Sequence, residues 1–166
     1  MKLHTEKIAK ISLMVTLGIL LGYLENLINI IPLSGVKIGL SNLIVIYALY
    51  KMNLSDCFIV ITIKSILNGI LFSSLMSIFY SIPAGFLSVL VMFLLKNKLN
   101  VNIISVYGIS MAGSCVFNIA QFVVAALILS SPVILVNLWY VLPISLVTGY
   151  FMAEIFKIIF LKDKDK

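Results

Sequence analysis

The sequence predicts an all-α integral membrane protein, a bundle of six transmembrane helices that forms one domain over residues 1–166. Composition is the first observation, because 62% of the residues are hydrophobic and 11% are charged. In soluble domains about 45–50% of the residues are apolar and about 25% are charged. A soluble domain of this length could not bury so much apolar surface. Apolar stretches are the second observation: six of them, each near or above the length of about 20 residues that crosses a bilayer, occupy most of the chain.

The first two helices are predicted at Ile8–Ile31 and Leu40–Tyr50. Pro32 closes the first helix, and Pro32 and Gly35 favour a break and a turn in the chain over residues 32–35. The second helix is too short to cross a bilayer at full thickness, so part of the preceding loop is expected to dip into the protein.

The remaining four helices are predicted from the polar turns and prolines that separate the apolar stretches. A polar turn at Lys51–Asp56 precedes the third helix, and a kink is expected in the fourth at Pro83 and Gly85. The predicted ranges are Cys57–Ser74, Ile78–Leu95, Ile103–Leu129 and Val133–Leu161, the last interrupted at Pro143 and Gly149.

Lysines set the predicted orientation in the membrane. With six spans, ten lysines fall on one side and only Lys37 falls in a loop on the other; the ten are Lys2, Lys7, Lys10, Lys51, Lys96, Lys98, Lys157, Lys162, Lys164 and Lys166. The positive-inside rule therefore predicts a multi-pass protein of the cell membrane with both termini in the cytoplasm. The net charge of +6 is thereby read as a topology signal, and no nucleic-acid partner is expected.

Polar residues inside the apolar stretches are the candidate site. A lysine such as Lys64 costs about 2.5–3.5 kcal/mol or more near the bilayer centre, so it usually faces a cavity and marks a ligand or ion path. The outward half of five helices carries such groups, which predicts a substrate pocket open to the outside and closed on the cytoplasmic side. Its candidate residues are Glu25, Asn26, Lys37, Asn42, Lys64, Asn68, Asn118 and Gln121.

Each candidate also has a purely structural interpretation. Asn and Gln side chains often only bridge helices, and Lys37 lies near enough to the outer surface to be solvated. Glu25 and Lys64 are candidates to form a buried ion pair, since Glu25 is the acidic residue available in the outer half. Glu154 lies near the end of its segment, where a charged side chain can reach the interface.

Gly18 and Gly22 form a GxxxG spacing on the first helix. This spacing favours close approach of a second helix, either within the protein or in a partner. The chain shows no P-loop, HExxH, GxSxG or paired acidic motif for a diphosphate–magnesium site. It is therefore predicted to be a non-enzyme with no catalytic residues, metal site or cofactor.

Several motifs resemble the Gx transporter family, which is also catalogued as heptaprenyl diphosphate synthase component I. Leu24-Glu25-Asn26, Pro32 and Gly35–Asn42 are similar to its "LEN…P…G(V/M)K(L/I)GLAN" signature, and the resemblance continues through the third to sixth helices. Lys64 stands where the family usually has Arg. Phe117 and Ala120 replace the usual His and Gly of an "HNxGQ" motif in the fifth helix, which sets aside any family role of that His here.

The resemblance implies a protein similar to the six-helix S components of energy-coupling factor transporters. Those proteins capture a vitamin-like nutrient from outside and work with a transmembrane coupling subunit and ATPases, docking through small residues of the first helix. Gly18 and Gly22 are then candidates for partner docking. The synthase-component name implies an alternative, a non-catalytic membrane partner of a prenyl diphosphate synthase. A secondary carrier that uses Glu25 and Lys64 alone is a third reading.

Overall fold

The computed structural model describes residues 2–27, 41–72, 75–98 and 106–161, and this part of the chain is helical apart from short turns. A short 3-10 helix, Pro132–Asn137, precedes the last α-helix, and a π-helical turn, Lys157–Leu161, follows it. The predicted all-α class is confirmed. The six α-helices are α1 (Lys2–Leu27), α2 (Asn42–Lys51), α3 (Leu54–Phe72), α4 (Leu75–Lys98), α5 (Val106–Ile128) and α6 (Leu138–Phe156).

Several helix boundaries differ from the predicted ones, and α1 already begins at Lys2. α3 begins at Leu54, so the predicted polar turn shrinks to two residues; Asp56 lies in the first turn of α3, where a negative charge is favourable. α4 begins three residues before and ends three residues after the predicted range, and it contains Pro83 as predicted, while the kink there stays a prediction. The sixth helix was predicted to begin at Val133, but the chain first forms the 3-10 helix after Pro132, and α6 starts at Leu138.

Five of the six helices are long and apolar enough to cross a membrane, and α2 is the exception. With ten residues α2 covers about 15 Å, roughly half of a hydrocarbon core. The five long helices pack in the order α1, α3, α4, α5, α6, and α2 contacts α1, α3, α4 and α6. Six of its residues are buried, so the short second helix is enclosed by the others.

Small residues let the helices approach closely. Where α5 meets α6, the hydroxyl of Ser110 donates a hydrogen bond of 2.6 Å to the carbonyl oxygen of Gly149. A Cβ atom at Gly149 would lie 2.7 Å from the Cα atom of Met111, so only glycine fits. Contacts of this kind are typical of helix pairs in membranes, where no hydrophobic force acts between helices and close packing replaces it.

Charged side chains gather at one end of the bundle, the end predicted to be cytoplasmic. Lys7 on α1 and Asp56 on α3 form an ion pair of 2.6 Å. The ammonium of Lys96 donates a hydrogen bond of 2.8 Å to the carbonyl oxygen of Leu49, and that of Lys157 donates one of 3.2 Å to the hydroxyl of Tyr107. Three of the ten lysines that the orientation rests on are therefore held near the ends of α1, α4 and α6.

An apolar core fills the half of the bundle next to these lysines. Its buried members include Ile46 and Leu49 of α2, Cys57 of α3, Met92 of α4 and Phe156 of α6. The outer surfaces of the long helices are also apolar: large hydrophobic side chains on each of them are exposed. Soluble monomers rarely expose apolar surface on this scale, whereas a bilayer covers it. The protein is therefore a multi-pass membrane protein.

Candidate functional site

A small polar cavity lies between α2, α3 and α4, with one residue of α5 at its wall. Its volume is about 50 Å³, which is space for a few water molecules. We call it the Lys64 cavity. It is lined by Ser41, Asn42, Val45, Ile61, Lys64, Ser65, Asn68, Gly69, Ser77, Ser81, Gly85, Ser88 and Phe117. Lys64 is the one charged residue among these lining residues.

Lys64 is buried, with 6% of its surface exposed. Its ammonium donates to the carbonyl oxygen and the hydroxyl oxygen of Ser41, each at 3.3 Å. The stem of Lys64 packs against α1, where a Cβ atom added at Gly18 would lie 2.9 Å from the lysine Cδ atom. Gly18 therefore leaves the space that the lysine stem occupies.

Asn68 lies one turn farther along α3 and repeats this arrangement. A Cβ atom added at Gly22 would lie 2.9 Å from both the amide nitrogen and the amide oxygen of Asn68. The amide oxygen is buried and accepts no hydrogen bond from the part of the chain that the structure describes. Gly18 and Gly22 are both buried against α3, so in the described structure the GxxxG spacing serves an internal helix contact. Docking of a partner through these glycines stays a prediction.

The N-terminal end of α2 adds to the positive potential of the Lys64 cavity. Ser41 and Asn42 both line the cavity, and α2 begins at Asn42 with Ser41 as its capping residue. The hydroxyl of Ser41 makes no capping bond, and it instead accepts from Lys64. A helix N-terminus carries a partial positive charge and unpaired N–H groups. Together with the lysine ammonium, this end of α2 favours an anionic group in the cavity.

Serine hydroxyls line the cavity more extensively than the sequence reasoning indicated. Ser81 lies four residues after Ser77 and seven residues before Ser88, and this spacing places the three serines on one face of α4. Ser88 donates a hydrogen bond of 2.8 Å to the carbonyl oxygen of Gly113 on α5. The periodic spacing of these serines was the available signal. Phe117, at the position where the resembled family usually has His, also lies at this cavity.

Asn118 does not line the Lys64 cavity. Its amide donates hydrogen bonds of 3.2 Å to the carbonyl oxygen of Ser114 and of 2.7 Å to the hydroxyl of Ser145. The Ser145 hydroxyl in turn donates to the carbonyl oxygen of Val141. The side chain of Asn118 thus links α5 to α6, which is the helix-bridging role that buried amides often have in membranes.

Gln121 lines a second cavity of about 330 Å³ between α4, α5 and the 3-10 helix. Of the eight predicted substrate residues, the structure therefore brings Asn42, Lys64 and Asn68 together and places Asn118 and Gln121 elsewhere. Lys37 and the side chains of Glu25 and Asn26 lie outside the described residues. Among the described residues, no three His, Cys, Asp or Glu side chains are grouped to hold a metal ion.

A family model described as heptaprenyl diphosphate synthase component I matches residues 14–159. A search of curated proteins and a search of solved structures gave no match. The matched range begins within α1 and ends in the π-helical turn after α6, and so includes the whole of the Lys64 cavity. The chain therefore belongs to the heptaprenyl diphosphate synthase component I family.

Proposed function

We propose that this protein is the membrane-embedded substrate-binding component of a transporter, which captures a small organic molecule from outside the cell. The observation that carries the proposal is the Lys64 cavity: a buried ammonium within a hydroxyl-lined space, at the N-terminal end of a helix. An ionisable side chain at this depth is expensive, and in membrane proteins it usually marks a ligand or ion path.

The chemistry of the cavity favours a ligand with an acidic group. The lysine ammonium and the N-terminal end of α2 are both positive, and the surrounding hydroxyls of Ser65, Ser77 and Ser81 can donate to carboxylate or phosphate oxygens. The cavity volume suits such a group and not a whole vitamin-sized molecule. The rest of the ligand would then extend toward the outer ends of the helices, where the predicted topology places Glu25, Asn26 and Lys37.

The packing of the bundle supports capture over conduction. On the side of the charged end, the apolar core of α2, α3, α4 and α6 fills the bundle below the cavity. A polar path through the bundle would have to displace this core, which contains fully buried residues such as Ala48 and Val89. We therefore expect the chain to bind its ligand and to depend on a coupling subunit and ATPases for the transport step. We propose no catalytic role for it.

The family description favours a second candidate function. As component I of a heptaprenyl diphosphate synthase, the chain would be a non-catalytic membrane subunit whose partner is a prenyl diphosphate synthase. In that case the association, and not a captured nutrient, would be the function. The Lys64 cavity is the reason for ranking transport first, because an accessory membrane surface does not need a buried lysine inside the bundle.

Native mass spectrometry of the protein purified from membranes tests the proposal. The wild-type protein should carry a co-purified acidic small molecule, and Lys64→Met should lose it. Lys64→Arg, which keeps the charge, should retain it. Lys51→Met removes an exposed lysine at the charged end and should also retain it.

Two outcomes would contradict the proposal. A wild-type protein that carries no small molecule but co-purifies with a prenyl diphosphate synthase, and raises its activity, would support the accessory-subunit alternative. Equal retention of the molecule by Lys64→Met and wild type would remove the lysine from the binding site.

A further inference from the structure

The cavity at Gln121 is distinct from the Lys64 cavity, although the two share a stretch of α4 and α5. Tyr80 lines one and its neighbour Ser81 lines the other, while Gln121 follows Phe117 by one helical turn. We call the second space the Gln121 cavity. It is lined by Tyr80, Gln121, Phe122, Ala125, Leu129, Ile134 and Asn137. It lies toward the end of the bundle opposite the lysines.

Gln121 is the feature that points to a ligand. The side chain is buried, with 6% of its surface exposed. Its amide oxygen is buried too, and it accepts no hydrogen bond from the residues that the structure describes. Leaving a buried acceptor unsatisfied is costly, and native structures rarely do so without a reason. The amide of Asn118, three residues earlier, donates hydrogen bonds to Ser114 and Ser145. The Asn118 side chain therefore has a structural role, whereas the amide oxygen of Gln121 has no hydrogen-bond partner among the described residues.

The rest of the lining defines the kind of molecule that fits. Phe122, Ala125, Leu129 and Ile134 offer apolar surface, and Asn137 adds a second amide whose side chain makes no capping bond. Every lining residue is uncharged, so a charged ligand would enter the cavity without a counter-charge. The volume of about 330 Å³ lies within the range of small-molecule sites, about 300–1,000 Å³.

We infer that the Gln121 cavity is a second binding site, which takes an uncharged molecule with an apolar body and a hydroxyl or amide N–H group. The donor group of the ligand bonds to the amide oxygen of Gln121, and the apolar body packs on Phe122 and Ile134. This site differs in chemistry from the cationic Lys64 cavity, and the inference does not depend on the proposed transport function. Leu129, at the wall of the cavity, is 56% exposed, so the cavity reaches the protein surface, where a membrane-dissolved molecule can enter.

Photolabelling with a matched pair of probes tests this inference. One probe is an eight-carbon alcohol that carries a diazirine, and the other is the corresponding diazirine alkane without the hydroxyl. The full-length protein in lipid nanodiscs is labelled with each, and mass spectrometry of peptides locates the label. The alcohol should label the α5 segment around Phe122 and the 3-10 helix saturably. Excess 1-octanol should compete with it.

The alkane should require a roughly tenfold higher concentration, because one hydrogen bond to a buried group is worth about that factor. Gln121→Met keeps the volume and removes the acceptor, so in this variant the alcohol should lose its advantage over the alkane. Lys64→Met is the matched control in the other cavity and should leave the labelling unchanged.

Labelling by the alcohol that is not saturable, or that is equal in Gln121→Met and wild type, would overturn the inference. It would mean that the cavity holds only water and that water satisfies the Gln121 amide. Loss of alcohol labelling in Lys64→Met would also overturn it, since the two cavities would then act as one site.

Discussion

Replacing Gly22 by leucine tests whether the paired glycines of α1 shape the Lys64 cavity or dock a partner. A Cβ atom at Gly22 would lie 2.9 Å from both amide atoms of Asn68, whereas ordinary contacts are 3.4–4 Å. Alanine therefore moves the Asn68 amide by about 0.5 Å. A side-chain rotation of this kind costs about 0.5–1.5 kcal/mol, and the gain in helix propensity, about 1 kcal/mol, offsets it.

Leucine adds three more carbon atoms, for which the α1–α3 contact has no space. Overpacking of this kind costs about 1–3 kcal/mol, which corresponds to a fall in Tm of roughly 2–12 °C for a chain of this size. Gly22→Ala should stay near the wild-type Tm. Thr16→Leu places the same side chain at an exposed position of α1 and should also leave the Tm unchanged.

Thermal unfolding of the purified protein in detergent, with size-exclusion chromatography as the readout, measures these differences in Tm. The same variants are then tested for co-purification with the proposed coupling subunit. If Gly22→Leu unfolds at the wild-type temperature yet fails to bind the partner, the reasoning is refuted, and the glycines form a docking surface.

Three further predictions concern topology, helix packing and the boundary of the site. Reporter fusions at Lys166 and near Ser34 should report opposite compartments, with Lys166 cytoplasmic; the same compartment at both would end the six-span topology. Gly149→Ala should lower the Tm by more than Gly22→Ala, because its Cβ atom would meet the backbone of α5; an unchanged Tm would show that α5 and α6 separate easily. Ser145→Ala removes an acceptor of the Asn118 amide and should cost about 1 kcal/mol of stability without loss of the co-purified molecule, whereas loss of the molecule would place Asn118 in the site.

The membrane fold and the placement of Lys64 at a cavity were predictable from the sequence. Long apolar stretches dictate helices in a bilayer, because every backbone group must be satisfied within its own segment. The short second helix was predicted from its length, although its enclosure by four other helices was not. That Lys64 would line a cavity was predictable because its burial in a bilayer is costly whatever surrounds it; its role in ligand binding stays a prediction.

Which residues share a cavity was not predictable. Asn118 and Gln121 lie three residues apart on α5, about 60° around the helix, and the sequence does not indicate which helix each side faces. Asn118 faces α6 and Gln121 faces the 3-10 helix. In the same way, a GxxxG spacing predicts close approach without naming the neighbour. The serines of α4 were overlooked because isolated serines are ordinary in membrane helices.

Uptake of the co-purified molecule, in isotope-labelled form, tests the central claim most directly. Cells that express the chain together with the coupling subunit and ATPases that the proposed function requires should accumulate the molecule above the level of cells without the chain. Lys64→Met should reduce uptake by at least tenfold, since a hydrogen bond to a charged group contributes about 1.5–3 kcal/mol, and Lys64→Arg should retain most of it. Uptake by Lys64→Met at the wild-type rate, or equal uptake with and without the chain, would contradict the account.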